Sequence, residues 1–228
     1  MQNSVAVTPE RLERWLGSFA ERHRGVSYTA TSEVVRVQAT DPEAVLECEV
    51  PFPPMPVRDD LPFGGLLEHA RRDRLVGVLL VRRGGYAVGV FDGRRLVASK
   101  VGSRHVQGRT AAGGWSQQRF ARRRERQARE LYQAAADVAA TLLLPYVGRL
   151  DAVVLGGDRR GSQAVLEDKR LSALQPLLAP RHLDVADPKL KVLQSTPDRF
   201  RAVVIRIRDA GVGDNGGGRN DGRRGDAG

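Results

Sequence analysis

Three apolar runs separated by glycine-containing turns constrain this chain more than any other feature. Leu75 to Arg82 reads LVGVLLVR, Tyr86 to Phe91 reads YAVGVF, and Arg95 to Ser103 reads RLVASKVGS, with Gly84-Gly85 and Asp92-Gly93 between them. β-Branched and aromatic residues fill the runs, and two-residue glycine turns reverse a chain tightly enough to leave adjacent strands hydrogen-bonded. The stretch is therefore expected to form an antiparallel meander. Its third strand leads into RHVQGRTAAGGWSQQRFARRRER, residues 104–126. Small residues from Thr110 to Gly114 make that segment a loop, and the arginines after it open a long helix.

The remaining elements can be read outward from the meander. Thr8-Pro9 has the form of a helix start, Leu12, Trp15, Leu16 and Phe19 mark one apolar face, and Gly25 marks the stop. Val26 to Gln38 alternates as a strand does, a turn follows at Asp41-Pro42, and Ala44 to Val50 is a second strand. Five prolines between Pro51 and Pro62 make an extended connection, because proline fixes φ and lacks a donor. A short helix is expected over Leu66 to Arg74. Beyond the basic loop, Phe120 to Val147 is expected as one helix, with Phe120, Leu131, Ala135, Val138, Leu142 and Leu143 available for burial and Pro145 and Gly148 at its end. Leu150 to Leu155 is nearly all apolar, as a strand covered on both faces would be. A helix over 163–178, a strand at His182 to Val185, a short helix at Pro188 to Leu193 and a strand at Phe200 to Arg208 follow. The organisation expected is an N-terminal helix–strand portion with its proline-rich connection (1–62), a main domain (63–208) and a disordered Gly/Asp/Asn/Arg tail (209–228). The main domain is α/β (α+β): a mixed sheet, antiparallel in its meander, with helices on its faces, in the manner of the ribonuclease-H-like fold.

The formal charge of +10 favours an acidic partner. No apolar run is long enough to span a bilayer, and Met1 to Arg24 lacks the apolar core of a signal peptide, so nucleic acid ranks ahead of membrane and a cytoplasmic location is expected. A single cysteine, Cys48, excludes an internal disulfide, and four scattered histidines (23, 69, 105, 182) offer no paired metal-ligand spacing, so neither metal nor cofactor is expected. Eight arginines lie between Arg104 and Arg129 against one acid, Glu125. Such a run suits contact with phosphates. Asp92, Asp151 and Asp158, near strand ends, could serve metal-dependent nuclease chemistry, but turn and cap roles account for each of them. Gly156-Gly157 lacks the Lys-Ser/Thr of a nucleotide-binding loop and reads as a plain turn.

Gly113-Gly114-Trp115-Ser116-Gln117 with the following QRFARRRERQ, supported by Val153-Val154-Leu155-Gly156-Gly157-Asp158, resembles a known group. It is similar to the middle domain of eukaryotic and archaeal class-I release factors. It is more similar still to the actinobacterial, VLRF-type release-factor-like peptidyl-tRNA hydrolases of ribosome-associated quality control. The likeness runs from about Leu75 to Arg208. It implies a release-factor middle-domain fold and hydrolysis of peptidyl-tRNA on stalled large ribosomal subunits, with rRNA and peptidyl-tRNA as partners. The chain departs from the classical pattern in having no Gly-Gly-Gln triplet, and no stop-codon-reading domain is evident. A Gly-x-x-Gln spacing occurs in the quality-control group, and by it the catalytic role falls on Gln117, with Gln118 as the competing neighbour. Gly113, Gly114, Trp115, Ser116 and Gln118 would complete the catalytic loop. Arg104, His105, Arg109, Arg119, Arg122, Arg123, Arg124 and Arg126 would contact RNA. A glutamine amide can donate and accept without titrating, and glycines before it let the backbone approach RNA closely. Two other readings use the same loop: a non-catalytic ribosome- or RNA-binding module, and a nuclease cutting tRNA near its 3′ end. The oligomeric state is not legible in the sequence.

Overall fold

The structure, a computed structural model, describes residues 3–40, 43–103 and 115–209, with 115–121 and 209 as backbone. In chain order the elements are β1 (Asn3–Val7), α1 (Pro9–Arg22), β2 (Ser27–Ala30), β3 (Val34–Thr40), β4 (Glu43–Glu49), α2 (Leu66–Arg71), β5 (Leu75–Arg82), β6 (Gly85–Asp92) and β7 (Arg95–Ser103). They continue with α3 (Trp115–Leu143), β8 (Ala152–Gly157), α4 (Arg159–Leu166), a 3-10 segment at Lys169–Leu177, β9 (Leu178–Leu183), α5 (Leu190–Gln194), α6 (Pro197–Phe200) and β10 (Val203–Asp209).

These strands make two five-stranded sheets. The first has the order β1-β10-β4-β3-β2 and is antiparallel throughout. Leu12, Leu16 and Phe19 of α1 pack on it against Val35, Val37, Leu46, Cys48, Val203 and Ile205. Burial pushes the Cys48 thiol up to about 12, so it stays protonated. The second sheet, β7-β6-β5-β8-β9, carries the expected meander β5-β6-β7, with β8 and β9 added in parallel. Its two faces are covered by different helices. Leu79, Val81 and Val153 face α3 through Leu131, Ala135, Ala139 and Leu143. Val76, Val78, Leu80 and Val154 face Leu193 of α5 and Phe200 of α6. This two-sided covering is what the unbroken apolar runs of β5 and β8 require.

Several boundaries differ from the sequence reading. The expected strand 26–38 is a hairpin: Thr31 Oγ1 accepts from the backbone N–H of Glu33 (3.3 Å) and Val34 (3.0 Å), and this local turn breaks the strand in two. The turn at Asp41-Pro42 lies outside the described residues. The helix expected over 163–178 begins earlier and ends at Leu166, because two aspartates cap two separate turns. Asp158 accepts from Arg160 N and Asp168 from Arg170 N, each at 3.0 Å. β9 occupies 178–183, ahead of the expected 182–185, and β1 was not anticipated: it is a short, mostly exposed edge strand with little apolar pattern. Phe200 closes α6 and does not open the last strand. That strand, β10, pairs with β1 and β4 of the first sheet, so residues 203–209 return to the N-terminal part of the chain.

The junction between the sheets is ionic and aromatic. Arg201 Nη1 donates to Glu10 at 2.9 Å, Arg94 bonds Asp198, and Phe200 meets Phe52 and Phe91 edge-on, each at 5.8 Å between ring centres. Arg74 lies 5.2 Å over the Phe52 ring and donates to the carbonyls of His69 (2.9 Å) and Arg72 (3.1 Å). His69 Nε2 is 2.9 Å from the Pro51 carbonyl and 3.0 Å from Arg74 Nη2. One ring nitrogen cannot donate to the first and accept from the second at once. A proton on Nε2 satisfies the carbonyl, while Arg74 has the two other carbonyls. Burial first, and then the charge of Arg74, hold the His69 imidazole below its usual range and so neutral near pH 7. In the unfolded chain His69 would protonate below its ordinary value of about 6.5, before it does so in the fold. Stability is therefore expected to fall as pH drops below that value, because the unfolded state then binds the extra proton. Urea midpoints measured from pH 7 to pH 5 should show this decline for the wild type and a shallower one for His69→Gln. Parallel declines would remove His69 as the cause.

Candidate functional site

The register of the second sheet fixes where the basic segment leaves it. Ser103, the last residue of β7, pairs with Gly85, Gly85 pairs with Arg82, and Val81 pairs with Gly157. One edge of the sheet thus gathers the end of β7, the β5–β6 turn, and the ends of β8 and β9. α3 runs back across the sheet: Leu143 packs at Gly77, near the start of β5, and Tyr132 lies at Gly161 in the first turn of α4. The residues of α3 before Leu131 therefore extend past this edge, and among 122–130 none is fully buried. At 1.5 Å per residue, Gln117 stands about 22 Å along the helix from Tyr132.

α3 starts at Trp115, five residues before the expected Phe120. Gly113-Gly114 are the last helix breakers before Pro145, and nothing in Trp-Ser-Gln-Gln opposes a helix strongly. Trp115, Ser116, Gln117, Gln118 and Arg119 consequently lie at the start of a helix and not in a loop. Gln117 and Gln118 are successive helical positions, about 100° apart around the axis, so one function cannot use both equally. Arg104, His105, Arg109, Gly113 and Gly114 lie outside the described residues.

Of the arginines further along, Arg122 and Arg123 are exposed and Arg124 is half-buried. Arg126 is exposed but bonds Glu130 at 3.0 Å, one helical turn on. Arg124 is on the buried stripe because Leu131 follows it by seven residues, close to two full turns. Three consecutive positions cannot share one face, and the covered one is Arg124. In binding to a polyanion such as RNA, replacing Arg122 or Arg123 by Gln should lower affinity and reduce the slope of log K against log salt by roughly 0.7–0.9 each. Arg124→Gln should change the slope least. Equal slopes for all three single variants would contradict this assignment.

The alternative chemistries fare differently at this edge. Asp92 and Asp151 both sit at the opposite edge, beside Leu75. Arg95 donates to Asp92, and Leu75 N donates to Asp151, each at 2.8 Å. Asp158, on the near edge, caps α4. The three aspartates are thus divided between two ends of the sheet, and among the described residues no cluster of three or more His, Cys, Asp or Glu could hold a metal ion. Gly156-Gly157 is a structural turn. Gly157 has φ +88, and a Cβ on Gly156 would come within 2.7 Å of Leu80 and 3.0 Å of the Leu183 carbonyl oxygen. Sequence reasoning did not connect Arg82 and Arg83 with Arg159 and Arg160. They are far apart in the chain, and only the parallel β5–β8 pairing sets them on one edge.

Peptide chain release factor subunit 1 of Aeropyrum pernix is 27% identical over 208 residues, covering 86% of this chain and 56% of that protein. Its counterpart in Archaeoglobus fulgidus is 32% identical over 92 residues, 40% of this chain and 23% of that protein. The chain thus spans little more than half the length of the first of these relatives and less of the second. A crystal structure of an archaeal translation termination factor, aRF1, superposes with a TM-score of 0.42 at 17% identity, over 87% of this chain and 66% of that one. The family described as Actinobacteria/chloroflexi VLRF1 release factor (acVLRF1) matches residues 74–206, more than half of the chain, and the protein belongs to that family. Among the described residues, no helix is long and apolar enough to cross a membrane.

Proposed function

We propose that the protein is a peptidyl-tRNA hydrolase that frees nascent chains from tRNA on stalled large ribosomal subunits, with Gln117 as the residue that positions the attacking water. The observation that carries the reading is a Gly-x-x-Gln at the head of a cationic helix that runs past its sheet, in a chain of the release-factor family. Hydrolysing the ester at the tRNA 3′ end requires a water held in line with the carbonyl and donors where the oxyanion develops. The first turn of any helix has backbone N–H groups with no acceptor within the helix, and its positive end favours a developing anion. Gln117, third in α3, has such an N–H beside an amide that can orient water. The arginines around it give affinity for RNA phosphates without reading sequence.

The test is to mix the protein with large subunits carrying peptidyl-tRNA and to size the tRNA afterwards. Released peptide with intact deacylated tRNA supports the hydrolase. A shortened tRNA would make the protein a nuclease, and binding without release would make it a non-catalytic module.

A further inference from the structure

We infer a second RNA-backbone contact, formed by Arg83, Arg159 and Arg160 on the sheet edge from which the basic segment departs. This rests on the ribosome-directed reading above but not on its chemistry. Several exposed arginines elsewhere on the described surface are engaged by carboxylates, while Arg11 and Arg14 of α1, Arg72 and Arg199 are not. Arg36 pairs with Glu47, Arg58 with Asp60, Arg71 with Glu13, Arg95 with Asp92 and Arg170 with Asp137 and Asp168. Arg83, Arg159 and Arg160 are exposed, and no carboxylate among the described residues pairs with them. Their neighbour Arg82 differs, since its Nη1 is fixed on the Val185 carbonyl at 2.8 Å.

The turn 82–84 and the turn 157–158 flank a cavity of about 320 Å³ that Asp187 also lines. Asp158 is committed to capping α4 through Arg160 N, and Asp187 leaves the three guanidinium groups in excess. The amides of α4 are not needed as a ligand site, because Asp158 already occupies that end. Arg159 and Arg160 nevertheless stand in the first turn of α4, which has no acidic residue. Cations there oppose the helix dipole, a local cost that a phosphate bound alongside would reverse. The parallel pairing Val81–Gly157 holds Arg83 and Arg159 to one edge, and Tyr132 at Gly161 brings α3 beside them. The patch therefore lies beside the helix whose earlier turns bear Arg122 and Arg123. A cluster of guanidinium groups without carboxylate partners, on one turn and the start of one helix, fits a sugar-phosphate backbone, which offers one charge after another along a line.

The experiment measures binding of the full chain to purified large ribosomal subunits at several salt concentrations, with and without bound peptidyl-tRNA. The joint variant Arg83→Gln, Arg159→Gln, Arg160→Gln should lower affinity on the order of 10- to 100-fold and reduce the salt slope by roughly 2.1–2.7. The matching Arg→Lys variant should recover most of the slope, since lysine restores the charges. A loss seen only with peptidyl-tRNA present assigns the contact to the tRNA, and a loss in both states assigns it to rRNA. The control variant Arg11→Gln, Arg14→Gln, Arg22→Gln on α1 removes the same charge elsewhere. If the edge variant binds as the wild type does, or if the α1 variant loses as much, the inference is overturned. Binding needs no turnover, so a wild type that binds through this edge without releasing peptide would sink the hydrolase and leave this contact standing.

Discussion

Gln117→Ala is expected to abolish peptide release while leaving affinity for the large subunit within about twofold. On the proposed reading, the uncharged amide contributes little to binding beside the arginines of α3, to which that reading assigns the affinity for RNA phosphates. Removing a group that orients the nucleophile or donates to the oxyanion costs on the order of 10²- to 10³-fold in rate, so the two readouts should separate cleanly. Single-turnover release at saturating protein measures the chemistry, and subunit pelleting measures the affinity. Gln118→Ala provides the internal control, because the two residues diverge by about 100° around the helix. Full activity in Gln117→Ala with loss in Gln118→Ala would move the role by one position. Activity in both variants would remove glutamine from the mechanism.

The meander, the long helix and the buried β8 were legible because each rests on a local signal: glycine turns, a 3.6-residue period and an unbroken apolar run. Val153 and Val154 of β8 face opposite sides of one sheet, as that run implied. What could not be read was set by contacts between distant segments or by side-chain capping. Thr31 splits a seemingly continuous alternation, and Asp158 and Asp168 divide one expected helix into two turns. The association of Arg83 with Arg159 depends on a parallel pairing that no local pattern records. The family resemblance was carried by a short motif whose spacing survives without its three-dimensional setting. The helical position of Gln117 was missed because Trp115 to Gln118 lacks an apolar period of its own.

The return of β10 to the first sheet sets up the second large effect. Deleting 203–228 should unfold the N-terminal layer, whereas deleting 210–228 should leave stability and release unchanged. β10 is interior, paired with β1 on one side and β4 on the other, so its loss leaves two rows of backbone donors and acceptors without partners. Val203 and Ile205 are fully buried against α1 and β3–β4, and each contributes on the order of 1.5–3 kcal/mol through burial. Arg208 also bonds Glu47 at 3.3 Å, and Arg206 bonds Glu49, tying the strand's outer side to β4. Together these losses are comparable with the roughly 5–15 kcal/mol that holds a domain of ordinary stability. Asp209 pairs with Ala44, and the Gly, Asn, Asp and Arg composition beyond it is why 210–228 is expected to be dispensable. Amide exchange of residues 34–49 is the direct readout: protection should vanish in the longer deletion and persist in the shorter. Retained protection without β10 would mean that β1 and β4 close the sheet by themselves. The second sheet has its own core on both faces, so its amides in β5 and β6 should stay protected even where the first layer is lost.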